Sequence, residues 1–290
     1  MAGIILRVTE LLEFFNPSER KVAAYILDQQ QKVVGMTVGE LAEQSQTNKA
    51  TIIRFCKKVG CSGYRDFSIQ LAAELAVTQN HSQEEEYTDV RVGDDIGSIM
   101  KNVCANNVRA IEDSLLLLDS AVVQQAVDML IAAHRVNVYG IGASGVAAQD
   151  MQQKFVRINK NCAAYEDSHM QLTSAANLNP GEVAVILSWS GETKEMIEVA
   201  KMAKKNQAGI ITITRYGQNP LCEYADVKLF LSSPETSIRC GAMSSRIVQM
   251  TMIDILFSCL VSQDYHNVRR YLERTRQEVH KNWADKEKNK

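Results

Sequence analysis

Residues 37–55 read TVGELAEQSQTNKATIIRF, and this stretch decides the character of the N-terminal part of the chain. Thr37 followed three residues later by Glu40 is a capping box, in which each side chain satisfies a free backbone N–H of the other. It opens a short helix with Leu41 and Ala42 turned inward. A few polar residues later a second helix runs from about Lys49 to Val59 and stops at Gly60, a favoured residue just past a helix end. Its apolar positions Ile52, Phe55, Cys56 and Val59 fall at i, i+3, i+4 and i+7, one buried stripe. Lys49, Ala50, Thr51 and Arg54 are expected on the opposite, outward face. Two short helices joined by a tight turn, the second basic on its outside, suit the major groove of DNA.

Working outward, Asn16-Pro17-Ser18-Glu19 is another helix start: Asn16 caps, Pro17 fits the first position and Glu19 closes a capping box. The first 80 residues are expected to be wholly helical. Net charge is only −2, but it is unevenly distributed. Residues 46–65 carry Lys49, Arg54, Lys57, Lys58 and Arg65 and no acid, whereas 82–95 hold six acids and the single base Arg91. That is the pattern of a DNA-binding head on a neutral to acidic body. Arg54 is placed to make a bidentate contact to guanine, and Thr51 to meet a phosphate or a thymine methyl. Lys57, Lys58 and Arg65 are assigned to the phosphate backbone. An ordinary solvated basic face would share the charge, but not the agreement of caps, turn length and buried positions.

Beyond an acidic linker (HSQEEEYTDVR, 81–91) a long helix is expected from Ile96 to Leu118 and another from Ser120 to Ala133. The pattern then changes to apolar runs separated by amphipathic stretches. Arg135–Tyr139, Cys162–Tyr165, Val183–Leu187, Gly209–Thr214 and Val227–Leu231 are the expected strands, and helices between them imply a doubly wound parallel sheet. Two loops at strand ends carry chemistry. Gly140-Ile141-Gly142-Ala143-Ser144-Gly145 precedes a helix and offers backbone N–H groups to an anion. It also matches a GxGxxG dinucleotide fingerprint, with Glu166 or Asp167 about 20 residues on. Ser188-Trp189-Ser190-Gly191-Glu192-Thr193 follows VAVIL and supplies three hydroxyls and a glycine, a compact anion cup. Such loops on neighbouring strands converge where open α/β sheets bind ligands. A dinucleotide fold has no need of the second loop, although an NAD(H)-sensing redox repressor stays open as an alternative.

The string from residue 37 through CKKVGCSGYRDF resembles the N-terminal domain of the RpiR/MurR regulators, with Gln46 where that turn often has glycine and Thr47 where it often has an aliphatic residue. SxSGxT and GIGASG resemble the phosphate loops of sugar isomerase (SIS) domains. The likeness runs from PSERK near residue 17 to SRIVQMTMIDILF at 245–257. It implies an all-α helix-turn-helix domain over 1–80 and a linker and connecting helix over 81–118. An α/β doubly wound parallel-sheet SIS domain would follow over 119–265, then a C-terminal helix and charged tail over 266–290. It further implies control of carbohydrate genes. A phosphorylated sugar would bind Gly142, Ala143, Ser144, Ser188, Ser190, Gly191 and Thr193, with Glu235 and Arg239 in the next loop.

A symmetric DNA operator asks for two heads, so a homodimer or homotetramer is expected. A sugar-phosphate isomerase or etherase is the enzyme-class alternative, with Glu166 and His169 as candidate bases. The bland reading of both is exposed or ligand-orienting, and no catalytic role is assigned. The seven cysteines are scattered without a CxxC or Cys/His cluster, so neither a metal nor a cofactor is expected and the setting is reducing. MAGIILRVTE does not read as a secretory signal, and no run of about 18 apolar residues suggests a membrane span. The expected location is the cytoplasm.

Overall fold

The computed structural model describes residues 3–78, 93–233 and 242–288. The chain divides into two compact units, residues 1–102 with 115–117, and residues 103–114 with 118–290. The acidic linker expected at 81–91, and Glu235 and Arg239, lie outside the described residues.

The first unit is helical: α1 (Ile4–Glu10), α2 (Pro17–Asp28), α3 (Gln30–Val34), α4 (Val38–Gln44), α5 (Lys49–Lys58) and α6 (Tyr64–Thr78). The local chemistry is the expected one. Asn16 and Thr37 each form the reciprocal capping box, with Glu19 and Glu40 respectively. Phe55 sits at the centre, its ring 5.0 Å from Phe15 and 5.9 Å from Phe67, with Ile52, Cys56 and Val59 fully buried around it. Arg7, itself buried, donates to the Val59 carbonyl at 2.8 Å and to Gln70, closing the C-terminal end of α5 against α1 and α6.

α7 (Ile96–Leu117) leads from the first unit towards the second, which continues with α8 (Ser120–Ala132), β1 (Val136–Tyr139), α9 (Ala143–Arg157), β2 (Cys162–Ala164) and α10 (Ser168–Ala176). There follow β3 (Val183–Leu187), α11 (Lys194–Lys205), β4 (Gly209–Arg215), β5 (Val227–Leu231), α12 (Met243–Gln263) and α13 (Tyr265–Lys288). The five strands are all parallel in the order β2-β1-β3-β4-β5, with Val138 opposite both Ala164 and Val185. All of β1 and β3 is buried, as near-continuous apolar runs require when helices cover both faces of a sheet. Val183, Val185 and Leu187 face a core shared with α8, α9 and α12. The alternate residues Ala184 and Ile186 face α11 and Ala175 of α10.

By length and composition alone α12 would pass for a membrane span. Its Val248, Met252, Ile253, Leu256 and Leu260 instead pack in the sheet core. The strand order places the topological switch between β1 and β3, whose connections leave in opposite directions and open a crevice at the strands' carboxyl ends.

Candidate functional site

The β1–α9 and β3–α11 loops meet at that crevice. A cavity of about 200 Å³ lies between them, lined by Ile141, Ala143 and Ser144 from the first loop and Ser188, Trp189, Ser190 and Thr193 from the second. Leu187 and the start of α12, through Ala242, Ser245 and Gln249, complete the wall. Three helix N-termini therefore border one small space. Each start (Gly142, Thr193 and Ala242) lacks a side-chain cap, whereas α2, α4, α5, α8 and α10 are each capped by an Asn, Thr or Asp. Uncapped first-turn N–H groups keep their donor capacity, and each helix start carries about half a positive charge. The lining side chains among the described residues are hydroxyls, an amide and apolar groups. Such a lining is suited to an anion held by fixed dipoles rather than by opposing charges.

The serine loop is held from behind. Gly191 has φ +68°, and a Cβ there would meet the Asn219 amide carbon at 2.2 Å. Asn219 is fixed in turn: it accepts from Cys222 N at 3.1 Å and donates to Thr214 Oγ1 at 3.2 Å. Backbone bonds from Leu221 N to Gly191 O and from Arg215 N to Trp189 O tie the loop to the β4–β5 connection. Within the loop Ser188 Oγ and Thr193 Oγ1 are hydrogen-bonded at 3.0 Å, and Ser190 Oγ accepts from Glu192 N at 3.2 Å. In the first loop Gly140 allows the chain to double back, since a Cβ would strike the Ser144 carbonyl at 2.6 Å. Gln171 of α10, fully buried, donates to the carbonyls of Gly140 and Tyr165 and so links this loop to the end of β2.

Of the residues singled out from the sequence, Ala143, Ser144, Ser188, Ser190 and Thr193 come together in the lining. Gly142 and Gly191 supply left-handed backbone that shapes the loops. Ser245 and Gln249 escaped the sequence reading. They lie four apart on α12, on a face that is buried together with Val248 and Met252, and only the packing shows that this face meets the cavity. Glu166 and His169 are exposed and lie outside the lining; Glu166 accepts from Gln149, and Asp167 caps α10 through Met170 N at 2.9 Å.

On the first unit, Lys49, Ala50, Arg54, Lys57 and, on α6, Arg65 are exposed. One expectation needs correction. Thr51 is 2% exposed rather than outward-facing, because it falls on the inward side of α5 with Ile52 and Phe55. Its hydroxyl donates to Asn48 Oδ1 at 3.2 Å and accepts from Arg54 at 3.3 Å, so it orients the arginine instead. Lys58 is exposed as well, but its ammonium donates to Phe14 O at 2.7 Å and pairs with Glu19 at 2.9 Å. The residue missed is Ile53, 43% exposed. With Ala50, Arg54 and Lys57 it completes an outward stripe at i, i+3, i+4 and i+7.

The turn before α5 is also explained. Gln46 takes φ 53° where a glycine is favoured, and Thr47 N bonds Ala42 O at 2.8 Å, closing the helix end in a Schellman motif. A helical unit whose α5 carries a basic outward face, followed by a doubly wound sheet with a hydroxyl-lined cavity at its switch point, fits the class of helix-turn-helix transcription regulators that carry an α/β domain.

Comparison with known proteins agrees. Residues 2–78 match the helix-turn-helix domain of the rpiR family and residues 129–259 the SIS domain. An uncharacterized HTH-type transcriptional regulator of Caldanaerobacter subterraneus is 41% identical, the match covering 95% of this chain and 96% of that one. The HTH-type transcriptional regulator HexR of Pseudomonas aeruginosa is 33% identical, with 88% of each chain covered. Among solved structures, Vibrio vulnificus NanR complexed with ManNAc-6P superposes with a TM-score of 0.59 at 26% identity, covering 95% of this chain and 98% of that one. The chain belongs to the RpiR family of HTH-type transcriptional regulators, with a C-terminal SIS domain.

Proposed function

We propose that this regulator binds a phosphorylated sugar in the cup between the β1–α9 and β3–α11 loops, and that occupancy changes its affinity for an operator controlling carbohydrate genes. The observation that carries this reading is the convergence of three uncapped helix starts and the Ser144, Ser188, Ser190 and Thr193 hydroxyls on one cavity without a lining charge among the described residues. A phosphate dianion fits such a donor set, and the NanR complex, with its phosphosugar, supports the ligand class.

The dinucleotide alternative is disfavoured by Asp167, which is occupied as the cap of α10, and by a serine loop that a nucleotide fold does not require. The isomerase alternative is disfavoured because Glu166 and His169 lie outside the lining. No catalytic residue and no cofactor is assigned.

The coupling runs through α7. Its Asn107 accepts from Ser244 Oγ at 3.0 Å, one residue from the cavity-lining Ser245. Its Ser114 exchanges hydrogen bonds of 3.0 Å with the backbone of Ser232 at the end of β5. A ligand that draws the start of α12 inward would act on α7, the helix that follows the linker in sequence. Acting on cytoplasmic DNA as a homodimer or homotetramer, the protein needs a coupling free energy of about 1–3 kcal/mol to change operator affinity roughly 5–150-fold.

The test is a thermal-shift screen against phosphosugars, their dephosphorylated forms, NAD and NADH. Stabilisation by a phosphosugar alone is expected, because a ligand selective for the folded state raises the melting temperature by mass action. A shift with NADH alone overturns the reading.

A further inference from the structure

Gln249 is 1% exposed, lies one turn beyond Ser245 on α12 and lines the cavity. Its Nε2 donates to Ser144 Oγ at 3.1 Å through a bond that is itself buried. An amide nitrogen can only donate, so the serine oxygen must accept. A hydroxyl has one proton and two lone pairs. With a lone pair engaged by Gln249, the Ser144 proton is free to be given elsewhere, and Ser144 borders the cavity.

We propose that Gln249 is a positioning residue for anion recognition: it holds Ser144 as a hydrogen-bond donor into the cup and so sets the site for a tetrahedral dianion. The proposal rests on the cup being the phosphate site described above. It accounts for an amide, rather than an apolar residue or an acid, on this buried face of α12. An apolar side chain of similar length leaves the Ser144 hydroxyl free to turn away from the ligand. A carboxylate reverses the polarity: it accepts the Ser144 proton and adds a negative charge beside an anion site. Gln249 touches the ligand's donor rather than acting as a charge, so its contribution is made through Ser144 and disappears when that hydroxyl is absent.

The experiment is a double-mutant cycle on full-length protein with inorganic phosphate as the probe, read by titration calorimetry, with unfolding curves confirming that each variant is folded. Ser144→Ala and Gln249→Met are each expected to weaken phosphate binding by about 10–100-fold, the size of one hydrogen bond to a charged group. Combined, they weaken it no further than Ser144→Ala alone. Gln249→Glu adds a readout that packing damage cannot imitate. With sulfate, which keeps its charge, affinity of this variant rises as pH falls from about 8 to about 5, because binding an anion takes up a proton on the new carboxyl. The wild type stays flat.

Equal losses from Gln249→Met with and without Ser144 overturn the assignment, as does a pH-independent Gln249→Glu, while leaving the cup intact. Failure of the wild type to bind phosphate removes the cup itself, and this proposal with it.

Discussion

Replacing Gly191 by alanine is a severe test of the serine loop. The new methyl carbon would lie 2.2 Å from both Cγ and Oδ1 of Asn219 and 2.8 Å from its Cβ, far inside the contact distance of about 3.5–4 Å. Asn219 is 9% exposed and held at both ends of its amide, to Cys222 N and Thr214 Oγ1, so yielding breaks two buried hydrogen bonds. Each is worth about 1 kcal/mol, and an L-residue at φ +68° costs about another 1–2 kcal/mol. If the fold keeps its shape, the variant loses about 3–4 kcal/mol. For a unit of this size that lowers the melting temperature by roughly 6–16 °C. If the loop moves instead, Ser190 and Thr193 leave the cup and phosphosugar affinity falls by about 100-fold or more. Calorimetric unfolding and ligand titration read both routes, and DNA binding should survive because the head is a separate unit. A Gly191→Ala protein with unaltered stability and unaltered ligand affinity would refute the packing of Asn219 behind the loop.

Further outcomes are expected elsewhere in the chain. Arg54→Ala should weaken specific DNA binding about 5–150-fold, the value of a bidentate base contact, while Lys57→Ala should weaken all sequences alike and lower the salt dependence by about one ion; competition binding at several salt concentrations separates the two. Gln46→Gly should raise the melting temperature of the head by a few degrees, since it relieves about 1 kcal/mol of left-handed strain at φ 53°; a lower melting temperature would contradict the turn. Burial pushes the Cys56 and Cys162 thiols up to about 12, whereas Cys104 is exposed. At about pH 8 the two buried groups are thiolate in only about one molecule in ten thousand. Iodoacetamide followed by peptide mapping should therefore mark Cys104 well before either of them.

Most of the architecture was legible because local signals agreed. The Asn16 and Thr37 boxes, the Ile52/Phe55/Cys56/Val59 stripe and the five apolar runs each specify their element without help from distant residues. Where two chemistries share one pattern, the sequence alone misled. Thr51 is polar and sits beside outward residues, yet at 100° per residue it joins the buried side, and only packing shows its hydroxyl turned to Asn48 and Arg54. Lys58 is exposed like Lys57, and what the sequence does not show is its pairing with Glu19, which spans 39 positions that no local pattern can connect. The cup was half visible: its two loops follow their strands directly, but Gln249 reaches Ser144 across 105 positions by the return of α12. Long-range closure of this kind is a property of topology, and it supplied the lining residues that motif reading missed.

The most direct measurement is operator affinity, by fluorescence anisotropy on a DNA fragment selected from genomic sequence, with and without the phosphosugar that stabilises the protein. At saturating ligand the affinity should change at least about fivefold, the dephosphorylated sugar should have no effect, and Ser188→Ala/Thr193→Ala should bind the same DNA without responding. An operator affinity that saturating phosphosugar leaves unmoved would contradict the link between the cup and the head.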